Sequence, residues 1–290
     1  MFLLRVLKLR KLLKLRKPKQ TLINPKADGK PRTALITGAS SGIGEAFARQ
    51  LALEGYALIL VARRQDRLTK LADELHQLYG VQIQVLAADL AQATEIEKVA
   101  QKIKQTENLS ILINNAGFGF MGEFAETDLA KHLAMISVHI TASVSLCHAA
   151  LPGMLARKEG FLINVSSIAA FFPSHPTYSA TKMFLNSFSE ALQTELTDSK
   201  IRVQALCPGF TRTEFHDGPD FKDWNRSLIP SKMWMTPTEV VRESLKALET
   251  SQVICIPGTK NRQFVALTRL PFAATFQKIV RKGRKVLNQR

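Results

Sequence analysis

The feature that most constrains this fold is a regular alternation of short apolar runs with longer amphipathic stretches, extending from about residue 31 to 257. Most of the apolar runs lack polar residues at alternate positions, which is typical of strands buried on both faces of a sheet. The stretches between them have the length and spacing of helices. Strands alternating with helices form a parallel sheet covered by helices on both faces. The sequence therefore predicts an α/β domain.

The pattern also limits the topology and the domain boundaries. Strands are predicted at residues 33–37, 57–61, 83–87, 111–114, 161–165, 203–206 and 253–256, and helices near 43–54, 66–78, 93–105, 127–157, 176–197 and 237–249. Because crossovers between parallel strands are right-handed, a doubly wound, Rossmann-type sheet of about seven mostly parallel strands is favoured. We predict that this single domain spans residues 31–268. The irregular segment 213–236 interrupts the pattern and is typical of a substrate lid.

Basic residues are concentrated at the two ends of the chain. Of the formal net charge of +16, residues 1–19 of the leader and linker (1–30) carry +8 and the tail (269–290) carries +7, so the rest of the chain is close to neutral. A neutral body argues against nucleic-acid binding. Basic, leucine-rich ends are drawn to an anionic membrane surface, so we expect peripheral membrane association. Disordered tails, or a targeting peptide at the start, are the alternatives.

The location and the metal content follow from what the chain lacks. Cys147, Cys207 and Cys255 form no C-x-x-C pair, which argues against a disulfide framework and a zinc site. Free thiols are typical of a reducing compartment. No run of 18 uncharged apolar residues and no secretory signal pattern is present in the sequence. We therefore predict a cytoplasmic protein without a metal site.

A glycine-rich turn follows the first predicted strand. Residues 37–44 read TGASSGIG and open the first predicted helix. Glycine lets the backbone approach a pyrophosphate closely, and the helix N-terminus presents free N–H groups to the anion. A glycine-rich turn without a ligand is the alternative, but the place between first strand and first helix favours a dinucleotide site. The candidate contacts are Gly38, Ser40, Ser41, Ile43 and Gly44.

The end of the second predicted strand indicates which dinucleotide is bound. Residues 60–64 read LVARR and contain no acid. An acid here binds the ribose hydroxyls of NAD, whereas an arginine can pair with the 2′-phosphate of NADP. The sequence therefore predicts NADP(H), with Arg63 as the phosphate contact. The alternative for both arginines is the solvated start of a helix, and for Arg64 we favour it.

Tyr178 and Lys182 lie four residues apart at the start of a predicted helix, so both side chains project from one face. Carbonyl reduction needs a proton for the oxygen while the carbon receives a hydride, and a tyrosine can supply it. A nearby ammonium favours the phenolate and lowers the pKa of the tyrosine. Ser167, at the end of a predicted strand, faces the ligand crevice and can hydrogen-bond the substrate oxygen. For Ser166 we favour a structural cap.

Six motifs now stand in the order found in the short-chain dehydrogenases/reductases, which the region from about 33 to 256 resembles. They are TGASSGIG at 37–44, DL at 89–90, NNAG at 114–117, NVSS at 164–167, Tyr178 with Lys182, and CPG at 207–209 with Thr213. The resemblance implies that Tyr178 is the general acid/base, Lys182 its activator and Ser167 the orienting hydroxyl. It also implies cofactor contacts, which are Asp89, Leu90, Asn115, Ala116, Gly117, Tyr178, Lys182, Pro208, Gly209 and Thr213.

Two features depart from the family pattern. The family usually has an asparagine on the long helix before the fifth strand, and this chain has His139 there. A histidine can hold a water or relay a proton, but it can equally be a satisfied core residue, and both interpretations stay open. The interval from Ser167 to Tyr178 is 11 residues, two fewer than is usual in the family. We expect a tighter loop there, with His175 exposed in it.

The substrate class is indicated only by apolar residues. Aromatic and aliphatic side chains are frequent in the segment 213–236 and at 118–121, and they would give the site an apolar mouth. The alternative is ordinary core or a subunit interface. Together with membrane association, an apolar mouth favours a lipophilic carbonyl or alcohol as the small-molecule substrate.

The sequence therefore predicts an NADPH-dependent oxidoreductase acting on a carbonyl or alcohol. A non-catalytic NADP-binding sensor or scaffold is the alternative, supported by His139 and the short interval before Tyr178. The intact pair of Tyr178 and Lys182 argues against it, since cofactor binding alone needs no acid/base tyrosine. Long helices at 127–157 and 176–197 could form the interface of a homodimer or homotetramer.

Overall fold

The computed structural model describes residues 26–27, 30–222 and 224–268. The basic leader and tail, and the predictions made on them, lie outside these residues. A two-residue antiparallel pairing joins Lys26–Ala27 to Lys30–Pro31 ahead of the main sheet. The strands of the main sheet are β1 (Thr33–Thr37), β2 (Ala57–Ala62), β3 (Ile83–Ala87), β4 (Leu109–Asn114), β5 (Glu159–Val165), β6 (Lys200–Leu206) and β7 (Ile254–Cys255).

The main sheet confirms the predicted fold class. Its strand order is β3-β2-β1-β4-β5-β6-β7, and every neighbouring pair is parallel. The helices between the strands are α1 (Gly42–Leu53), α2 (Gln65–Tyr79), α3 (Ala93–Lys104), α4 (Leu129–Arg157), α5 (Pro176–Glu195), α6 (Pro237–Ala247) and α7 (Thr259–Thr268). The chain thus winds from β1 to one edge and then crosses back to β4, which makes the gap between β1 and β4 the switch point where such sheets bind ligands.

Burial of both sheet faces explains why the strands read as continuous apolar runs. On β1, Ala34 and Ile36 pack in a core layer with α1, α2 and α6, while Leu35 packs in the opposite layer with α3, α4 and α5. All three side chains are fully buried. Successive residues of a strand point to opposite faces, so a strand with a helix layer on each side has no position left for a polar residue.

Helix α4 is long and apolar. By length and composition it could cross a membrane, but half of its most apolar window is buried inside the structure. Leu146 and Met154 on this helix are fully buried in the same core layer as Leu112 and Leu162 of the sheet. This packing is that of a core helix of an α/β domain.

Candidate active site

The predicted site residues converge at the carboxyl edge of the sheet. Because the strands are parallel, the loops that follow β1, β2, β4, β5 and β6 all begin at this edge. They carry, in turn, the glycine-rich turn, the two arginines, the Asn-Ala-Gly segment, the two serines and the Pro-Gly turn. Residues as far apart in the chain as Gly38 and Gly209, which are separated by 171 positions, therefore face a common crevice at the switch point.

The glycine-rich turn is clamped to the loop after β4. Gly38 has a φ of +66°, and a Cβ there would lie 2.8 Å from Asn115 Nδ2. Asn115 Nδ2 donates to the carbonyl oxygens of Thr37 at 2.8 Å and Gly38 at 3.2 Å. The Thr37 hydroxyl in turn accepts from the backbone N–H groups of Asn115 and Ala116. Only glycine fits at Gly38, because both its backbone angle and its contact exclude a side chain.

The start of α1 is free to receive an anion. Ser41 is its N-cap residue, but the Ser41 side chain makes no capping bond to the helix. The first N–H groups of α1 therefore lack a capping side chain. The turn that precedes them has no side chains at Gly38 and Gly42. Uncapped N–H groups and a glycine cradle fit the pyrophosphate of a dinucleotide. Ile43 and Gly44 lie in the first turn of this helix.

The two arginines after β2 occupy different surroundings. Arg63 is exposed and lines an open groove with Ala87, Ala88, Asp89 and Glu95. Arg64 is half-buried, and its Nη2 donates to the hydroxyls of Ser40 at 3.0 Å and Ser41 at 2.8 Å. Our interpretation of Arg64 as a solvated helix start misses this contact, because it depends on how two loops approach each other and no local pattern records that.

Asp89 and Leu90 follow β3 on the same side of the crevice. Asp89 Oδ1 accepts from the backbone N–H of Ala91 at 3.1 Å, so the carboxylate is fixed at the rim of the groove that Arg63 lines. Leu90 is buried, and its carbonyl oxygen accepts from the Ser137 hydroxyl of α4. Both residues lie beside the region where the resemblance places the adenosine.

Tyr178, Lys182 and Ser167 are brought together as predicted. Tyr178 and Lys182 lie on the first turns of α5, with Lys182 Nζ 5.6 Å from the centre of the Tyr178 ring. The Ser167 side chain hydrogen-bonds the tyrosine side chain. Lys182 Nζ donates to the carbonyl oxygen of Val165 at 2.8 Å. A 3-10 turn, Ile168–Phe171, takes up the shortened interval between the serine and α5.

Burial is the dominant electrostatic effect on this pair. Burial raises the pKa of Tyr178 to about 12, and the hydrogen bond from Ser167 acts in the opposite direction. Burial also lowers the pKa of Lys182 to about 7. The sequence predicts a tyrosine pKa lowered by the lysine, whereas in this structure burial raises it. The phenol is therefore protonated at neutral pH, which is the form that donates a proton.

His139 lies in a π-helical turn, Ser137–Thr141, within α4. Its Nε2 accepts from the backbone N–H of Phe118 at 3.2 Å, so its proton lies on Nδ1, which bonds the Thr181 hydroxyl at 2.9 Å. The Thr181 hydroxyl donates to the Tyr178 carbonyl oxygen at 2.8 Å. Burial, with the Lys182 charge as a smaller cause, keeps the His139 pKa well below its usual value. His139 is thus a neutral, doubly bonded ring beside the site.

Gly117 makes this arrangement possible. A Cβ at Gly117 would lie 2.9 Å from His139 Nε2 and 3.6 Å from Lys182 Nζ. The glycine of the NNAG segment therefore leaves room for both side chains at the end of β4. Such a close approach can be satisfied only by a residue without a side chain.

The segment 213–236, which we call the lid after its predicted role, reaches from the glycine-rich turn to Tyr178. Thr213 packs over Gly42, where a Cβ would lie 2.9 Å from Thr213 Cγ2. Two positions later the Phe215 ring lies 6.1 Å from the Tyr178 ring, centre to centre, and a Cβ at Gly119 would lie 2.9 Å from Phe215 Cζ. The lid is built of four 3-10 turns in the described residues, Glu214–His216, Pro219–Phe221, Arg226–Leu228 and Ser231–Met233.

The remaining aromatic side chains of the lid pack on one another. His216 stacks on Trp224 with ring centres 4.2 Å apart, and the Phe210 ring centre lies 6.2 Å from the same indole and 6.3 Å from the His216 ring. Trp234 adjoins all three rings. Of the apolar side chains predicted to form a mouth, Phe215 and Phe221 reach the site, while these rings form the interior of the lid.

His175 differs from its prediction as an exposed loop residue. It is half-buried and forms the N-cap of α5, where its Nδ1 accepts from the backbone N–H of Tyr178 at 3.3 Å. Its ring packs edge-on against Phe120. The prolines on either side of the loop suggest exposure. Pro176 is the first residue of α5, however, so His175 before it occupies the N-cap position.

The acidic, histidine and cysteine side chains form no metal-binding cluster in the described part of the chain. Within residues 26–27, 30–222 and 224–268, no group of three or more His, Cys, Asp or Glu side chains is placed to hold a metal ion. Cys147, Cys207 and Cys255 are free and buried.

Comparison with known proteins identifies the family of this chain. The family model of the short chain dehydrogenases matches residues 32–220. The chain belongs to this family. A very-long-chain 3-oxoacyl-CoA reductase from Phaeosphaeria nodorum is 34% identical over 246 residues, which cover 82% of this chain and 67% of the relative. A solved short-chain dehydrogenase from Sphingobium yanoikuyae in complex with NADPH is 31% identical, has a TM-score of 0.73, and is matched over 88% of this chain and 95% of its own.

A further relative bears on activity. The inactive hydroxysteroid dehydrogenase-like protein 1 from Homo sapiens is 32% identical to this short-chain dehydrogenase over 204 residues, 69% of this chain. The chain spans 62% of the length of that relative. Relatives described as reductases and as inactive thus have similar levels of identity to this chain.

Proposed function

We propose that this short-chain dehydrogenase is an NADPH-dependent reductase of lipophilic carbonyl compounds. The observation that carries the proposal is the Tyr178 side chain, hydrogen-bonded to Ser167 and next to the Lys182 ammonium at the carboxyl edge of the sheet. An acid, its charged neighbour and an orienting hydroxyl in one crevice are what carbonyl reduction requires. Cofactor binding alone would need neither a proton donor nor a hydroxyl that orients the substrate oxygen.

The chemistry assigns a separate task to each side chain. Ser167 and Tyr178 together hydrogen-bond the substrate carbonyl oxygen and hold its carbon towards the cofactor side of the crevice. NADPH, when bound, supplies the hydride to that carbon. Tyr178 gives its phenolic proton to the oxygen, so an alcohol is formed, and the Lys182 ammonium stabilises the phenolate that remains. The proton on Tyr178 is available at neutral pH, because burial raises the pKa of this group to about 12.

The cofactor preference rests on the arginines after β2. No carboxylate is present at residues 60–64 to bind a ribose diol. Arg63 borders the groove beside Asp89, and Arg64 adjoins the hydroxyls of Ser40 and Ser41, so guanidinium and hydroxyl donors surround the position for a 2′-phosphate. Solved relatives contain NADPH or NADP+. The further cofactor contacts we propose are Gly38, Ile43, Gly44, Leu90, Asn115, Ala116, Gly117, Tyr178, Lys182, Pro208, Gly209 and Thr213.

A lipophilic substrate is supported by the lid and by two relatives. The Phe215 and Phe221 rings close the crevice above Gly119. One relative is a very-long-chain 3-oxoacyl-CoA reductase, and a solved relative is an alcohol dehydrogenase specific for bulky-bulky ketones, 29% identical with a TM-score of 0.70. We therefore propose a carbonyl with a large apolar substituent, such as a long-chain 3-oxoacyl thioester.

The proposal also includes the subunit assembly and the cellular location of this protein. Exposed apolar side chains at Leu129, Leu133 and Ile136 form a stripe on α4, which favours a homodimer or homotetramer built on this helix and α5. The basic ends favour a cytoplasmic protein that contacts an anionic membrane surface. Flotation with anionic vesicles, with and without residues 1–19 and 269–290, tests the membrane contact.

The alternative is an NADP-binding protein without catalysis, which the inactive human relative favours. The two functions differ in turnover. We expect the purified chain to oxidise NADPH in the presence of long-chain 3-oxoacyl thioesters or bulky ketones, and to oxidise NADH at least tenfold more slowly at equal concentration. Small aldehydes serve as the matched control substrates. Binding of NADPH without turnover on any of these carbonyls would support the non-catalytic alternative.

His139 gives a second prediction, on a positioning residue. Because both ring nitrogens are bonded to Phe118 and Thr181, we propose that the ring fixes the position of Tyr178 rather than relaying protons. The variant His139→Leu should lose about tenfold or more in kcat with little change in KM for NADPH. His139→Gln, which keeps a donor and an acceptor, should recover most of that loss.

The pH profile separates positioning from proton relay. Because burial keeps the pKa of His139 well below its usual value, the ring is neutral at neutral pH, so wild type and His139→Gln should share the same profile of kcat against pH. A proton relay through the imidazole would instead give His139→Gln a profile of different shape. Equal losses in the Leu and Gln variants would also contradict the positioning role.

A further inference from the structure

We propose that Glu214 is an internal carboxylate that occupies the place of the cofactor 2′-phosphate, so that NADPH releases the lid from the phosphate site when it binds. The proposal rests on the proposed NADP(H) dependence. It concerns a residue that neither the sequence motifs nor the proposed chemistry uses.

A built anion site surrounds the Glu214 carboxylate. Arg64 Nη1 donates to Glu214 Oε2 at 2.9 Å, while the same guanidinium donates through Nη2 to the hydroxyls of Ser40 and Ser41. Arg67 Nη1 donates to both carboxylate oxygens of Glu214, at 2.7 and 2.8 Å. Two guanidinium groups and two hydroxyls at the mouth of a glycine-rich turn are the donors that a phosphate monoester needs. In this structure a carboxylate from the chain itself satisfies the guanidinium groups.

Glu214 is carried by the lid, and its neighbours reach the catalytic side. The preceding residue, Thr213, packs over Gly42 of the glycine-rich turn. The following residue, Phe215, packs against Tyr178 and Gly119. The short turn Glu214–His216 therefore connects the phosphate end of the crevice to the proton donor. A ligand that displaces the carboxylate from the arginines frees this turn at its phosphate end.

The strength of the contact suits displacement. The side chains of Arg64, Arg67 and Glu214 are 41%, 44% and 48% exposed, and exposed ion pairs are weak because water and salt screen them. A phosphate monoester carries a charge of about −1.5 to −2 and three acceptor oxygens, against one charge and two oxygens for a carboxylate. The cofactor phosphate should therefore replace Glu214 at Arg64, whereas NADH has no group that competes for this position.

The affinity test compares two lid carboxylates. In Glu214→Gln the competitor is neutralised, so we expect NADPH to bind about three- to tenfold more tightly and NADH to change less than twofold. Asp217→Asn is the matched control, since it removes the same charge three residues further on, from a carboxylate paired with Arg226 inside the lid. This control should leave both affinities within twofold of wild type. Equilibrium fluorescence titration of each cofactor measures these values.

Tryptophan fluorescence reports on the lid. Both tryptophans of the chain, Trp224 and Trp234, lie in the lid, so intrinsic fluorescence reports on it directly. Adenosine 2′,5′-bisphosphate has the 2′-phosphate but no nicotinamide, and it should shift the tryptophan emission of wild type. Adenosine 5′-monophosphate, at concentrations that give equal occupancy, should not. The emission of unliganded Glu214→Gln should already resemble that of liganded wild type.

The outcomes separate this inference from the proposed function. Unchanged NADPH affinity in Glu214→Gln, with wild type binding NADPH, would overturn the competition and leave the proposed function in place. Weaker NADPH binding in this variant would mean that Glu214 closes over the bound cofactor, which also contradicts competition. If wild type binds neither NADPH nor the bisphosphate, the cofactor assignment fails and the inference fails with it.

Discussion

The variant Tyr178→Phe is expected to lower kcat for carbonyl reduction by about 10²- to 10⁴-fold, the range associated with loss of a general acid. Phenylalanine keeps the ring, so the contacts of Tyr178 with His139 and Phe215 persist. It removes only the hydroxyl that hydrogen-bonds Ser167 and carries the proton. NADPH affinity should stay within about twofold, because the hydroxyl acts on the substrate oxygen and not on the phosphates. Initial rates of NADPH oxidation and a binding titration measure both quantities.

A tyrosine elsewhere in the chain gives a matched control. Tyr79 lies at the end of α2, away from the carboxyl edge of the sheet, so Tyr79→Phe should retain wild-type turnover. Retention of more than a tenth of the activity in Tyr178→Phe would remove the phenol from the proton-transfer step and leave Ser167 or bound water as the donor. A loss of NADPH binding in parallel with turnover would indicate a structural defect rather than a lost acid.

The fold could be predicted from the sequence because its signals are local. A strand that is buried on both faces contains few polar residues, as Leu35 and Ile36 show. A continuous apolar run therefore indicates a strand with a helix layer on each side. The right-handed crossover then restricts the order of the strands. The glycine-rich turn could be placed for the same reason, since its backbone requirement at Gly38 is a property of single residues.

The parts of the site that the sequence could not predict depend on distant contacts. Arg64 meets Ser40 and Glu214 only because three loops converge at one edge, and nothing near Arg64 in the chain indicates this. His175 becomes a helix cap because Pro176 starts α5 at that point. The pKa of Tyr178 follows from how much solvent the surrounding groups exclude, which spacing to Lys182 does not reveal. Sequence motifs therefore identify the side chains of the site, whereas packing in the folded chain determines their protonation states.

A buried ammonium at Lys182 has a second expected effect, on stability. Lys182 is 4% exposed, its Nζ donates to the Val165 carbonyl oxygen, and within the described part of the chain no carboxylate lies within ion-pairing distance of it. Burial lowers its pKa from 10.5 to about 7. The variant Lys182→Met should abolish reduction and at the same time raise the thermal midpoint near pH 6.5 by roughly 5 °C or more.

The sign of the pH dependence follows from the direction of this shift. The unfolded chain keeps the lysine proton up to about pH 10.5, whereas the folded chain loses it above about pH 7. Between these values the unfolded state binds more protons, so the free energy of unfolding of wild type rises with pH. The cost of the buried charge is complete below pH 7 and has vanished above pH 10.5. Methionine at this position has no such cost at any pH.

Thermal and denaturant unfolding of wild type and Lys182→Met at pH 6.5 and 9.5 measure this difference. The advantage of the methionine variant should be largest at pH 6.5 and smaller at pH 9.5. Lys246→Met, at an exposed position on α6, is the control and should show no pH-dependent gain. An equal gain at both pH values would assign the effect to better packing of methionine. A variant less stable than wild type at pH 6.5 would mean that the hydrogen bond to Val165 outweighs the cost of burying the charge.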